Sequence, residues 1–211
     1  MLPNNPSHRT GSIGEKHAEE RNYWINKEFK LAINTFDNVE YITAYSILFF
    51  TGIKESELLA LTIDNFDLDN QLLTINSNWV RRQRKNATTS TKTRSSNRVV
   101  TFPKLLVPLI NEYINSLYGY IPHMRLFSQL NKYYLNDRLN KAVINAGVKK
   151  ITVHELRHSH ASVLINNEIN IKALQQRLGH KNIDTTLNIY SHMYPTKQKE
   201  IANLLDNLGP K

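Results

Sequence analysis

The sequence predicts an α+β fold: a mainly helical domain that carries one small three-stranded antiparallel sheet. Two observations lead there. Apolar residues recur at helical spacing along most of the chain, in segments bounded by capping residues and glycine stops. The strand-like runs crowd into residues 65–102 and follow one another, whereas a parallel sheet would need them to alternate with helices.

Taken in order, residues 1–22 are polar and irregular, with Pro3, Pro6, Gly11 and Gly14, and read as a linker. The main domain is expected to start near Tyr23. Residues 38–50 (NVEYITAYSILFF) are apolar enough for a buried helix, which Gly52 can stop by taking positive φ. A second helix, ESELLAL, follows. Residues 65–68, the alternating LLTIN at 72–76 and RVVTF at 98–102 are expected strands, with Asp69-Asn70 as a tight turn. Pro108 suits the first turn of a helix running to about Tyr118, where Leu109, Ile110, Tyr113, Ile114 and Leu117 share a face. Residues 131–146 repeat that pattern and end at Gly147. Thr152 and Glu155 form a T-x-x-E capping box that opens a helix over 153–166. Two shorter helices, 171–178 and 185–193, complete the domain, and Ile201, Leu204, Leu205 and Leu208 give residues 196–211 the spacing of a helical tail.

Composition excludes several classes of protein. Of the 211 residues, 40% are apolar and 21% charged, with seven Gly and seven Pro, which is neither fibrous nor disordered in character. There is no Cys, so disulfides, thiolate metal sites and cysteine nucleophiles are excluded, and a reducing interior is expected. The N-terminus lacks an apolar signal core, and the apolar stretch 41–50 is far shorter than the roughly 20 residues of a membrane span. A cytoplasmic protein without membrane association is expected.

Net charge is +9, and most of it is local. Residues 81–98 (RRQRKNATTSTKTRSSNR) hold Arg81, Arg82, Arg84, Lys85, Lys92, Arg94 and Arg98 and no acid. A basic loop between two strands favours an anionic partner, although a solvated surface loop would have the same composition.

The chemistry-bearing residues admit three readings. His154–His158 spells H-E-L-R-H, the pattern that sets two zinc ligands on one helical face. Against it, the capping box already uses Glu155, and the following SHASVLINNE lacks the glycine and histidine of the extended motif. The second reading is a non-catalytic helix-turn-helix from 171–178 and 185–193, with Gly179 in the turn and Thr185, Thr186 and Asn188 on the second helix. The third is phosphoryl transfer, in which cations stabilise the non-bridging oxygens while a nucleophile attacks and an acid protonates the leaving oxygen.

Four segments resemble, in order and in character, the motifs of the tyrosine recombinase or phage integrase catalytic domain: TGIKESELLAL (51–61), TKTRSSNRVV (91–100), TVHELRHSHAS (152–162) and LGHKNIDTTLNIYSH (178–192). The resemblance implies that family's catalytic fold. It makes Tyr190 the nucleophile, forming a 3′-phosphotyrosine and freeing a 5′-hydroxyl. Arg157 and His154 match the arginine and histidine of H-x-x-R, implying a phosphate clamp and an acceptor for the tyrosine proton. His180 matches the histidine of L-G-H, a hydrogen-bond donor to the phosphate, and Lys92 the strand-loop lysine that protonates the 5′-oxygen. His158 and His160 are expected to be structural. The family reads T-G-x-R where this chain has Thr51-Gly52-Ile53-Lys54, so Lys54 replaces the first catalytic arginine by a compact ammonium and reduced activity is expected.

The implied function is site-specific recombination or integration for a phage or mobile element, with no metal or cofactor. Type IB topoisomerases share the intermediate and are the nearest enzymatic alternative. The resemblance further implies residues 23–195 as catalytic domain, 1–22 as a linker from an N-terminal DNA-binding region, and 196–211 as a tail that docks on a neighbour. Assembly would be a homotetramer on DNA, weakly associated or monomeric without it, at the bacterial nucleoid.

Overall fold

The computed structural model describes residues 22–82, 85–90, 97–119, 123–190 and 205. The expected linker apart from Asn22, the basic residues Arg84, Lys92 and Arg94, and the tail apart from Leu205 lie outside the described residues.

Residues Asn26–Ile33 form α1, a helix the sequence pattern did not single out. Its first turn is closed by Glu28, whose carboxylate accepts from the Ile25 amide at 2.9 Å. Just before it, buried Trp24 ties the chain to the domain: its amide donates to Ser159 Oγ at 2.8 Å and its indole N–H to the Lys149 carbonyl at 2.6 Å. The apolar run predicted as a buried helix is α2, Val39–Thr51, capped by the Asn38 side chain and ended by Gly52 at φ +69°. A single turn, α3 (Glu55–Leu58), follows.

Strands β1 (Phe66–Asp67), β2 (Leu72–Ile75) and, further along, β5 (Arg98–Thr101) make the expected three-stranded antiparallel sheet, in the order β1-β2-β5. Its register pairs Leu73 with both Phe66 and Val100. The first strand is shorter than expected because Ile63–Asn65 is a turn of 3-10 helix, held by the Asn65 side chain accepting from the Thr62 amide at 2.8 Å. A larger difference lies in the basic segment. Instead of a plain loop, its first part is a second sheet, the hairpin β3 (Ser77–Arg82) and β4 (Lys85–Ser90), paired from Ser77↔Ser90 to Arg82↔Lys85. Thr-rich polar sequence hid these strands, since neither face shows the apolar alternation that marks a half-buried strand. The hairpin is rooted in the domain by Trp79, whose ring lies 3.7 Å beneath the Arg125 guanidinium, and by Ser56 Oγ donating to Asn78 Oδ1 at 3.2 Å.

The remaining helices are α4 (Leu106–Ser116), α5 (Lys132–Ala146), α6 (Val153–Asn166), α7 (Ile171–Leu178) and α8 (Ile183–Tyr190). The capping box at Thr152 and Glu155 forms as the sequence predicts, with the Glu155 carboxylate accepting from the Thr152 amide at 2.6 Å. The last helix starts two residues earlier than expected. One large core joins α1 to α6 and the three-stranded sheet, whereas Ala161, Ile165, Leu174, Leu178 and Tyr190 form a smaller second cluster. Tyr190 therefore belongs to the small core shared by α6, α7 and α8. Among the described residues, no helix is long and apolar enough to cross a membrane.

Candidate active site

The candidate site gathers where the C-terminal end of α2 meets α6 and α7. Arg157 is its centre, 4% exposed, with Nη1 donating to the Gly52 carbonyl at 2.7 Å and Nη2 to the Leu178 carbonyl. Both acceptors are peptide groups at helix ends, so they fix the guanidinium plane without neutralising its charge. Burial lowers the Arg157 pKa to about 10, still far above neutrality, with Glu57 opposing that shift. A cation held dry at this position attracts an anion strongly.

Gly52 carries two constraints. Its φ of +69° is left-handed, and an added Cβ would press on the His160 ring. That ring is fixed at both nitrogens: Nδ1 meets the Phe49 carbonyl at 2.8 Å, and Nε2 accepts from Arg177 Nε at 2.8 Å. Burial first, then the Arg177 charge, lowers the His160 pKa to about 3, so the imidazole is neutral, with its proton on Nδ1. His160 thus has the structural role expected of it.

Lys54 stands half-buried at the start of α3. Its amide donates to Glu57 Oε2 at 2.7 Å. Burial pushes the Lys54 ammonium below its usual pKa, Glu57 opposes that, and Arg157 and Arg98 add to it. Arg98 corrects an expectation. Assigned to a phosphate-gripping loop, it is instead largely enclosed and joined in a fork to Glu57, Nη1 to Oε1 at 2.9 Å and Nη2 to Oε2 at 2.8 Å, while its Nε donates to the Arg177 carbonyl at 2.8 Å. Glu57 is 1% exposed. Burial alone would raise its pKa, but the Arg98 bonds and charge and the Lys54 amide hold it below the ordinary carboxylate value. A buried carboxylate needed a partner, and Arg98 sits at the strand position that supplies one.

Tyr190 ends the described part of α8, 3% exposed. Its hydroxyl lies 2.6 Å from Nδ1 of His158, the rings tilted at 5.7 Å, and it acts electrostatically on Arg157. His158 was expected to be structural, and it is the imidazole that meets the phenol. The signal was present in the spacing: His154 and His158 are one turn apart and share a face of α6. His154 is exposed, with its ring edge-on to His158 at 5.1 Å.

His180 follows the Gly179 turn between α7 and α8, its Nδ1 2.9 Å from Thr186 Oγ1. Partial burial, then the charges of Arg157, Lys54, Arg98 and His154, lowers its pKa to about 4. The charges of Lys54, Arg157 and His154 therefore all act on His180. Thr186 is wholly buried, so it cannot present its hydroxyl to a base edge as the helix-turn-helix reading asked. The backbones of Arg81, Arg82 and Lys85 lie at the far end of the β3–β4 hairpin.

The fold is that of tyrosine recombinase catalytic domains. The Tn1549 transposon integrase, solved in complex with circular intermediate DNA, superposes with a TM-score of 0.72 at 23% identity over 92% of this chain and 69% of that one. The catalytic domain of bacteriophage HP1 integrase superposes at 0.59 and 22% identity, over 87% of this chain and 94% of that one. A model of the phage integrase family matches residues 25–197, and the chain belongs to that family. The ICEBs1 integrase of Bacillus subtilis (strain 168) is 32% identical over 212 residues, 88% of this chain and 54% of the relative. The integrase of Staphylococcus phage L54a is 28% identical over 225 residues, 93% of this chain and 62% of the relative. The chain thus spans little more than half the length of these relatives.

Proposed function

We propose that this chain is the catalytic part of a site-specific recombinase of a phage or mobile element, cleaving and rejoining double-stranded DNA through a 3′-phosphotyrosine. The observation that carries this reading is Tyr190, a phenol hydrogen-bonded to an imidazole and within electrostatic reach of the buried Arg157. The relatives named integrases, and the Tn1549 integrase solved with DNA, support it.

In this mechanism the Tyr190 oxygen attacks phosphorus, the bond to the 5′-oxygen breaks, and bond energy is kept in the tyrosyl ester for rejoining. Arg157 binds the non-bridging oxygens, where a rigid guanidinium acts without reorganising. His180, neutral at pH 7 with Nδ1 on Thr186, turns Nε2–H to the phosphate. Lys54 adds charge as a compact ammonium, and Lys92 protonates the leaving 5′-oxygen. No step requires a metal or cofactor.

Residues 23–195 form the catalytic domain, 1–22 link it to DNA-binding domains, and 196–211 dock on a neighbouring copy in a tetramer on DNA. Arg81, Arg82, Arg84, Lys85 and Arg94 grip phosphates, so binding weakens steeply with salt. The protein acts in the bacterial cytoplasm, at the nucleoid.

A nicked suicide duplex incubated with the protein in EDTA tests this on a denaturing gel. A covalent protein–DNA band that Tyr190→Phe abolishes is the expected result. A band that persists in Tyr190→Phe, or that EDTA removes, refutes the mechanism.

A further inference from the structure

By family resemblance the Tyr190 proton goes to His154. The geometry points elsewhere: we propose that Nδ1 of His158 takes the proton of the Tyr190 hydroxyl as the phenol attacks DNA. This rests on Tyr190 being the nucleophile.

Three observations carry it. Nδ1 stands 2.6 Å from the hydroxyl oxygen, the reach of a direct proton transfer. Both groups are buried, and Tyr190 packs into the same apolar cluster as Ala161 and Ile165 of the helix that bears His158, so the pair is held without intervening bulk water. His154 is exposed one turn away and meets His158 edge-on. Around the pair stand Arg157, which favours the developing phenolate, and the His154 ring.

The step balances. The Tyr190 O–H bond breaks and its proton moves to the Nδ1 lone pair, giving an imidazolium. The phenolate pair forms the O–P bond, and the P–O5′ bond breaks with its pair on the 5′-oxygen, which is protonated from the acid side of the site. Rejoining runs the same transfers backwards. The transfer requires a neutral His158 with its proton on Nε2, leaving Nδ1 as the acceptor.

Two experiments on the full chain test this. Histidine-selective nitrogen NMR of the free protein at pH 7 is expected to show His158 as the Nε2–H tautomer, and an Nδ1–H tautomer would overturn the proposal. Single-turnover cleavage of the nicked duplex is then compared for wild type, His158→Asn and His154→Asn, each also carrying Lys54→Arg. Asparagine can still accept a hydrogen bond from the phenol but cannot take its proton, so His158→Asn should cleave on the order of 10² to 10⁴ times more slowly with DNA affinity unchanged. A wild-type rate in His158→Asn reduces the residue to positioning and overturns the proposal. So does a larger loss in His154→Asn. If His158→Asn fails to fold, the tautomer decides. Absence of any adduct from both the wild type and the Lys54→Arg protein overturns the nucleophile reading itself, and this proposal with it.

Discussion

Gly52→Ala should destabilise the domain through two separate costs. The residue ends α2 at φ +69°, a conformation that costs an L-residue about 1–2 kcal/mol. The added methyl would also press on His160, with Cγ at 2.9 Å and Cδ2 closer still. The ring cannot easily turn aside, because the Phe49 carbonyl holds one nitrogen and Arg177 the other, each at 2.8 Å. Overpacking of that kind costs a further 1–3 kcal/mol or so, giving about 2–5 kcal/mol in all. For a domain of this size that lowers Tm by roughly 4–20 °C. Urea denaturation followed by circular dichroism measures the change, and a double-mutant cycle with His160→Ala separates the two costs. In the double variant the steric part should vanish while the backbone part remains, so the double variant should lose less than the two single variants added together. A Gly52→Ala protein within about 0.5 kcal/mol of wild type, or a cycle without coupling, would refute the reasoning.

Other outcomes follow from the same geometry. Lys54→Arg should accelerate single-turnover cleavage on the order of tenfold or more, since a planar fork replaces a point charge, and an equal or slower rate would count against Lys54 as a phosphate ligand. Glu57→Gln should cost about 3–5 kcal/mol by leaving Arg98 enclosed without its carboxylate, and an unfolding curve unchanged from wild type would show that the pair contributes nothing. His160 and His180 have folded pKa values of about 3 and about 4 against 6.5 for the free side chain, so the unfolded chain binds more protons between those limits. Stability should therefore fall as pH drops below about 6.5, and His160→Gln should flatten that dependence; a slope unaltered by the variant would remove His160 as its source.

The sequence alone carried most of the helical framework. Asn131 with Gly147, Thr152 with Glu155, and Gly52 are local signals, since a cap or a left-handed stop is satisfied by atoms within a few residues. The strands β2 and β5 were legible for a similar reason: a half-buried strand writes its period into the chain. Strands β3 and β4 were not, because both are polar and Trp79 is held by Arg125, a residue far along the chain. Resemblance to the family's motifs also named Tyr190, Arg157, His154, His180, Lys92 and Lys54 as a group, of which Lys92 lies outside the described residues. What sequence could not assign was the partner of each charge. Arg98 reads as one more cation in a basic stretch until the fold brings the buried Glu57 against it, and the low dielectric there makes pairing obligatory. His158 reads as a helix histidine until α8 packs on α6 and sets a phenol 2.6 Å from its ring. Local structure follows from neighbours along the chain, whereas the role of a titratable group depends on what the tertiary structure buries beside it.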